Sequence, residues 1–282
     1  MSRHATVTVA VRDAVDRSFI PSVEALRALQ GAGAQDPVAV HRGRTSVRRL
    51  RSNVRVLDGH VEPLPSLRGE LGWAGECLGM VRDVDVLSSR VTAAAHGLPE
   101  QLSGGGAATV ALLRAQRRSA EEQLRSAVSS SRFGDLVDEL DLLVKEASSS
   151  SGDLEARDVV GPRWRAVRDA VRGLDDLPSD EHLHEFRIET KRARYAAELF
   201  SPVAGPRGDR FVRRATALQD ALGVQHDAVR ACDWFLGYGG NDAGPARACG
   251  WFAAQAAAER DGLREAWRPA WASLREPKAR FW

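Results

Sequence analysis

The sequence predicts an all-α protein, and three observations predict it. Apolar residues recur at helical spacing through most of the chain, β-type alternation is confined to a few residues near Thr6 to Val9, and short Gly-, Pro-, Ser- and Asp-rich breaks separate the periodic stretches. With 282 residues and 43% hydrophobic content the chain is long and apolar enough for a sizeable core. Forty Lys and Arg stand against 38 Asp and Glu, a formal net charge of +2. That balance excludes a globally basic protein, so any strongly positive surface has to come from local clustering. Cys77, Cys232 and Cys249 are odd in number and lack CxxC spacing, which predicts no disulfide framework, no zinc site and a reducing, cytoplasmic setting. The N-terminal segment is interrupted by charges and no apolar run reaches the ~18 residues of a membrane span, so neither a signal peptide nor a membrane partner is expected.

The elements follow in order. The first helix is expected over 8–31, and the second over 36–58, where Asp36 before Pro37 makes a good helix start. A long helix spans 66–95. The loop GLPEQLSGGG comes next, with Gly104 to Gly106 read as a flexible linker, and then a helix over 107–131. Helices at 134–148 and 154–174 lead to LPSD, where Ser179 or Asp180 before Glu181 opens a helix over 180–201. The breaks SPVAGPRGD and GYGGNDAGP delimit 207–237 and 243–275, the last interrupted near Pro269. Tryptophans such as Trp251, Trp267 and Trp271 fall in these C-terminal helices and are read as core.

A basic signature occurs twice. His41, Arg44, Arg48 and Arg51 stand at offsets 0, 3, 7 and 10, and so do His184, Arg187, Lys191 and Arg194, with 184 − 41 = 143. At about 100° per residue each set occupies an arc of roughly 80° on one helix. Four aligned cations repel one another unless an anion lies across them, and a stripe rising about 15 Å suits an extended anion better than one phosphate. The same offset carries 8–31 onto 151–174 and 36–58 onto 179–201, while LGMVRD at 78–83 recurs as LGVQHD at 222–227. The chain is accordingly read as one domain over 1–282, with repeat one at 8–131, a connector helix at 134–148 and repeat two at 151–275, giving two pseudo-symmetric four-helix bundles.

The apolar residues Val40, Val47, Leu50, Val54 and Leu57 lie beside the first stripe, and Leu183, Phe186, Ala193, Ala197 and Phe200 beside the second. A stripe next to a packing face favours the wall of a groove, whereas a stripe opposite it would be an ordinary solvated surface. Arg55 extends the first stripe by another turn, and Tyr195 follows the second as either a ligand donor or a core neighbour. Arg42, Arg49 and Arg192 sit off the stripes and serve a second row or carboxylate pairs. Each histidine heads its stripe, where imidazole either bonds an anion or plays a structural part. Arg82, Asp83, Asp85 and Asp227 occupy the repeated LG segments; carboxylates there hold arginine rotamers or, less simply, a metal. Gly79 and Gly223 are expected to permit close helix packing or a bend.

No catalytic constellation stands out. His182 and His184 in EHLHE are two apart and so on different helix faces, and position 188 is Ile, which breaks HExxH. No Walker loop, GxGxxG segment or nucleophile elbow occurs, and no resident metal or cofactor is expected.

On VHRGRTSVRRLRSNVRVL at 40–57, LGMVRDVDVL at 78–87, LHEFRIETKRARYAAELF at 183–200 and LQDALGVQHDAV at 218–229, the chain resembles the CHAD family, the conserved-histidine α-helical domain. The resemblance implies two pseudo-symmetric four-helix bundles, a basic central groove that binds inorganic polyphosphate, and a non-catalytic module. It carries over His41, Arg44, Arg48, Arg49 and Arg51 from the first motif, with His184, Arg187, Lys191, Arg192 and Arg194 from the second. Gly43 departs from the usual apolar residue and is expected to loosen packing beneath the first stripe, and His226 stands where repeat one has Arg82. No β-rich segment precedes the first motif, so a stand-alone module, directed to polyphosphate granules, is expected. The readings left open are a nucleic-acid-binding helical protein, a metal-dependent phosphate-processing enzyme using Asp83, Asp85 and Asp227, and a scaffold for an acidic protein segment.

Overall fold

The computed structural model describes residues 6–33, 36–56, 65–238, 240 and 242–282. They form β1 (Thr8–Ala10), α1 (Val11–Ser18), α2 (Ile20–Ala32), α3 (Pro37–Asn53), α4 (Pro65–Ala95), α5 (Ser103–Val128), α6 (Ser131–Ser148), β2 (Asp153–Glu155), α7 (Ala156–Arg172), α8 (Asp180–Ala204), α9 (Pro206–Leu236), α10 (Ala243–Gly262) and α11 (Arg268–Leu274). The protein is all-α. Its sheet among the described residues is a two-stranded antiparallel ribbon with the buried pair Val9 and Leu154 in register.

Local chemistry places the helix starts. The Asp36 carboxylate accepts from the Val38 amide at 2.8 Å and Pro37 supplies the first helical residue of α3, while the Ser179 hydroxyl accepts from the His182 amide at 3.2 Å to open α8. Gly205, at φ 58°, turns the chain from α8 into α9.

Several expected boundaries move. The span 8–31 is strand, α1 and α2 in succession, because the chain breaks at Phe19 ahead of Pro21. The helix expected over 36–58 ends at Asn53, with residues 54–56 in a turn; Leu57 and the rest of that span lie outside the described residues. Gly104 to Gly106 are no linker but the first turn of α5. A Cβ on Gly105 would lie 2.2 Å from the Gly244 carbonyl oxygen of α10, so glycine there lets two helix backbones touch. Gly43 likewise tightens packing instead of loosening it, since a Cβ would stand 2.8 Å from Leu29 Cδ2 on α2. The chain passes Pro202 inside α8 and continues to Ala204, and the span 243–275 is divided into α10 and α11, with Pro269 in the first turn of the latter.

Among the described residues two apolar cores result. The larger takes residues from α1 to α9 and the C-terminal segment; the smaller gathers Leu87, Val91, Leu113, Phe235, Cys249 and Phe252 from α4, α5, α9 and α10. The two 31-residue helices α4 and α9 contribute to both, each about 46 Å long, and form the spine against which α3 and α8 pack. Val47, Leu50, Leu183, Phe186, Ala193 and Phe200 are buried in the larger core, so the apolar faces of α3 and α8 fix the rotation of their basic edges.

Candidate anion-binding site

The basic edges of α3 and α8 come together. A cavity of about 200 Å³ is lined by Arg48, Arg51 and Arg55 from α3 and the turn after it, by Lys191, Arg192 and Tyr195 from α8, and by Arg163 from α7. Among the described residues, Arg48, Arg51, Arg55, Arg163 and Lys191 make no ion pair or side-chain hydrogen bond within the protein, whereas Arg192 bonds Glu189 one turn before it. Burial, and then Arg187, Arg48, Arg51 and Arg192, push the Lys191 ammonium down from 10.5 to about 8. Arg55 is lowered from its ordinary value by burial and by Arg192, Arg163, Arg68 and Arg51. Tyr195 is 3% exposed, with the Arg194 guanidinium 4.1 Å above its ring.

A second cavity, of about 500 Å³, is lined by Arg44, Arg187, Asp83, His226, Asp227 and Arg230. Arg44 donates from Nη1 to the Leu78 carbonyl at 3.1 Å and lies 3.7 Å from Asp83, which also meets Arg230 at 3.4 Å. Asp83 therefore holds two guanidiniums at once. Arg187 is lowered by burial, against the opposing pull of Asp227, and its Nε is buried without a hydrogen-bond partner. Arg48 is close enough to lower both Arg187 and Lys191, which makes it the electrostatic link between the cavities. Burial raises the Asp227 carboxyl, against the pull of Arg187, Arg90 and Arg82; Arg82 itself lines an adjoining cleft with Asp227.

The repeated glycines are seats for these arginines. A Cβ on Gly79 would stand 3.1 Å from Arg44 Nη1, one on Gly75 3.3 Å from Arg51 Nη1, and one on Gly223 3.7 Å from Arg187 Nε. Side-chain-free patches on α4 and α9 thus let stripe arginines lie flat across them.

Not every expected residue joins the cavities. Arg49 and Arg194 approach Glu198 from α3 and α8, and Arg194 also donates to Gln219 at 3.0 Å, so both belong to a tie between the two helices. Asp85 bonds Arg117 of α5 at 2.8 Å and holds no stripe residue. His41 is exposed at the start of its stripe. His184 stacks on His226 with ring centroids 4.4 Å apart; burial, then nearby cations, lower its pKa and bring that of His226 to about 4. Sequence reasoning missed Arg163 and Arg230. Arg230 follows Asp227 by three residues on α9, a helical-neighbour signal, whereas Arg163 stands alone on its side of α7, away from the face shared by Arg165, Arg168 and Arg172. Among the described residues, no three His, Cys, Asp or Glu side chains are gathered as a metal site would need.

Fold and site define a class: an all-helical protein in which two core-anchored helices turn basic edges toward a shared cleft. The chain belongs to the CHAD domain family, whose model matches residues 22–236. Two solved structures share the fold: PptA from Streptomyces chartreusis, at 22% identity and TM-score 0.77 over 93% of this chain and 98% of that one, and the CHAD domain from the plant Ricinus communis, at 23% identity and TM-score 0.79 over 97% and 94%. No curated protein matches the chain in sequence. No helix among the described residues is long and apolar enough to cross a membrane.

Proposed function

We propose that this protein binds inorganic polyphosphate, without chemical conversion, along the cleft between α3 and α8. The observation that carries the reading is the gathering of Arg48, Arg51, Arg55, Arg163 and Lys191 around one cavity with no carboxylate paired to them. Such a cluster costs free energy until an anion fills it, and a line of cations matches a line of phosphates. Arg44, Arg187 and Arg230 in the neighbouring cavity extend the path. Of the expected site residues, Arg44, Arg48, Arg51, Arg55, Arg187, Lys191, Arg192 and Tyr195 touch ligand in this reading. Arg49 and Arg194 hold the helices together, His184 packs against His226, and Asp83 orients Arg44 and Arg230.

The duplicated organisation, with repeats at 8–131 and 151–275 and α6 as connector, belongs to the same proposal. The matching seats of Arg44 on Gly79 and Arg187 on Gly223 support it. A non-catalytic role is supported by the engagement of two of the three candidate acids: Asp83 and Asp85 serve different arginines, on different helices. Residence at polyphosphate granules follows from binding the polymer that forms them.

Isothermal titration of defined-length polyphosphate tests the reading. Replacing Arg48, Arg51, Arg187 and Lys191 by Ala is expected to weaken binding by roughly a hundredfold or more, each lost charge-assisted contact being worth about a kcal/mol or more. Equal affinity in both proteins would sink the proposal. Duplex DNA or RNA that competes with polyphosphate phosphate for phosphate would favour the nucleic-acid reading, and free phosphate released from the polymer would favour an enzyme.

A further inference from the structure

We propose that a separate cavity, closed by α7, the turn at 174–176, α11 and the C-terminal segment, binds a nucleoside polyphosphate, with the base against indole rings and the phosphates on arginines. The cavity measures about 550 Å³ and shares no lining residue with the two cavities of the α3–α8 cleft. Small-molecule sites run from about 300 to 1,000 Å³, so the space suits a nucleotide.

Its aromatic wall is rigid. Trp267 and Trp271 meet Phe186 edge-on at 5.3 and 5.7 Å, and Trp271 tilts against Trp164 at 5.6 Å. Trp271 is only half-buried, which leaves indole surface for a second ring. Trp164 also lines the cavity, and its Nε1 donor is buried without an acceptor.

The arginines divide into fixed and free. Arg268 donates to the Asp176 carbonyl at 3.1 Å and lies 5.3 Å above the Trp267 ring, pinning the 174–176 turn, and Arg172 bonds Asp169. Arg168, Arg275 and Arg280 line the same cavity and make no side-chain hydrogen bond or ion pair among the described residues. A bare phosphate chain would use only these guanidiniums, and an uncharged aromatic would use only the indoles. A nucleoside polyphosphate uses both, and the Asp175 and Asp176 carboxylates on the rim accept from sugar hydroxyls.

The test is calorimetric titration with ATP, adenosine and inorganic tripolyphosphate, carried out in the wild-type protein and in the cleft variant with Arg48, Arg51, Arg187 and Lys191 changed to Ala. ATP is expected to bind the cleft variant at one site, roughly tenfold or more tighter than either tripolyphosphate or adenosine, as stacking and charge add. Arg275→Glu with Arg280→Glu, both exposed positions that leave the fold intact, is expected to abolish that binding. ATP affinity unchanged by the double reversal would overturn the proposal, as would tripolyphosphate binding as tightly as ATP. Absence of ATP binding in both proteins would overturn it too, and none of these results bears on polyphosphate binding in the cleft.

Discussion

Lys191 carries a buried charge among like charges. Its ammonium is buried among Arg187, Arg48 and Arg51, and its pKa falls from 10.5 to about 8. The folded value lies below the unfolded one, so between those values the unfolded chain binds more protons. The penalty on the free protein, roughly 3 kcal/mol, is complete below pH 8 and is relieved as pH rises from there to the unfolded value of 10.5. Lys191→Met is therefore expected to raise the melting temperature at pH 7 while weakening polyphosphate binding, and thermal melts with parallel titrations read both. A bound polyanion favours the ammonium, so binding at pH 8.5 should take up protons in the wild type and not in Lys191→Met; titrations in buffers of different ionisation enthalpy measure that uptake. His226, lowered to about 4 first by burial and then by Arg187, has a consequence of the same sign at acid pH. Stability is expected to fall as pH drops below about 6.5 toward 4. His226→Phe should flatten that part of a pH-dependent unfolding profile; an unchanged profile would remove His226 from the account.

At the scale of elements, glycine decides how near helices and guanidiniums come. The approach of α5 to α10 at Gly105 has no room for a methyl group, because the obstructing atom is the Gly244 backbone. Gly105→Ala is expected to cost about 2 to 3 kcal/mol, read by denaturant unfolding. Gly72 in α4 has nothing within 4 Å of a Cβ, so Gly72→Ala should instead stabilise by about 0.5 to 1 kcal/mol. Gly79→Ala pushes on the flexible end of Arg44 and should lower polyphosphate affinity with little change in stability. Gly223→Ala, with 3.7 Å to Arg187, should be tolerated in both measurements. The basic edges depend on the same packing: α3 and α8 present them because Val47, Leu50, Phe186 and Phe200 lock the adjoining faces into the core.

For the whole molecule, a net charge of +2 hides a concentrated field in the cleft. Affinity for polyphosphate should fall linearly on a log-log plot against salt, losing roughly a thousandfold between 50 and 200 mM if about six phosphates are neutralised. Polyphosphate should also raise the melting temperature, since it binds the folded state and removes internal repulsion. A melting temperature that ignores the polymer at low salt would contradict both expectations.

The sequence by itself determined the helical class, the approximate helices, and the two aligned basic edges, because these rest on 3.6-residue periodicity and on local capping at Asp36 and Ser179. It also marked Gly79 and Gly223, though as helix-packing residues and not as seats for Arg44 and Arg187. The tertiary structure alone decided which cations share a space. Arg163 and Arg230 come from α7 and α9, while Arg49 and Arg194 are drawn away to Glu198. It likewise put Gly104 to Gly106 inside a helix, where Gly105 meets Gly244, 139 residues further along the chain (244 − 105 = 139). Periodicity fixes the direction of a side chain about its own helix, but the carboxylate, glycine or cation it meets belongs to another helix, and that meeting is set by core packing between segments far apart in the chain.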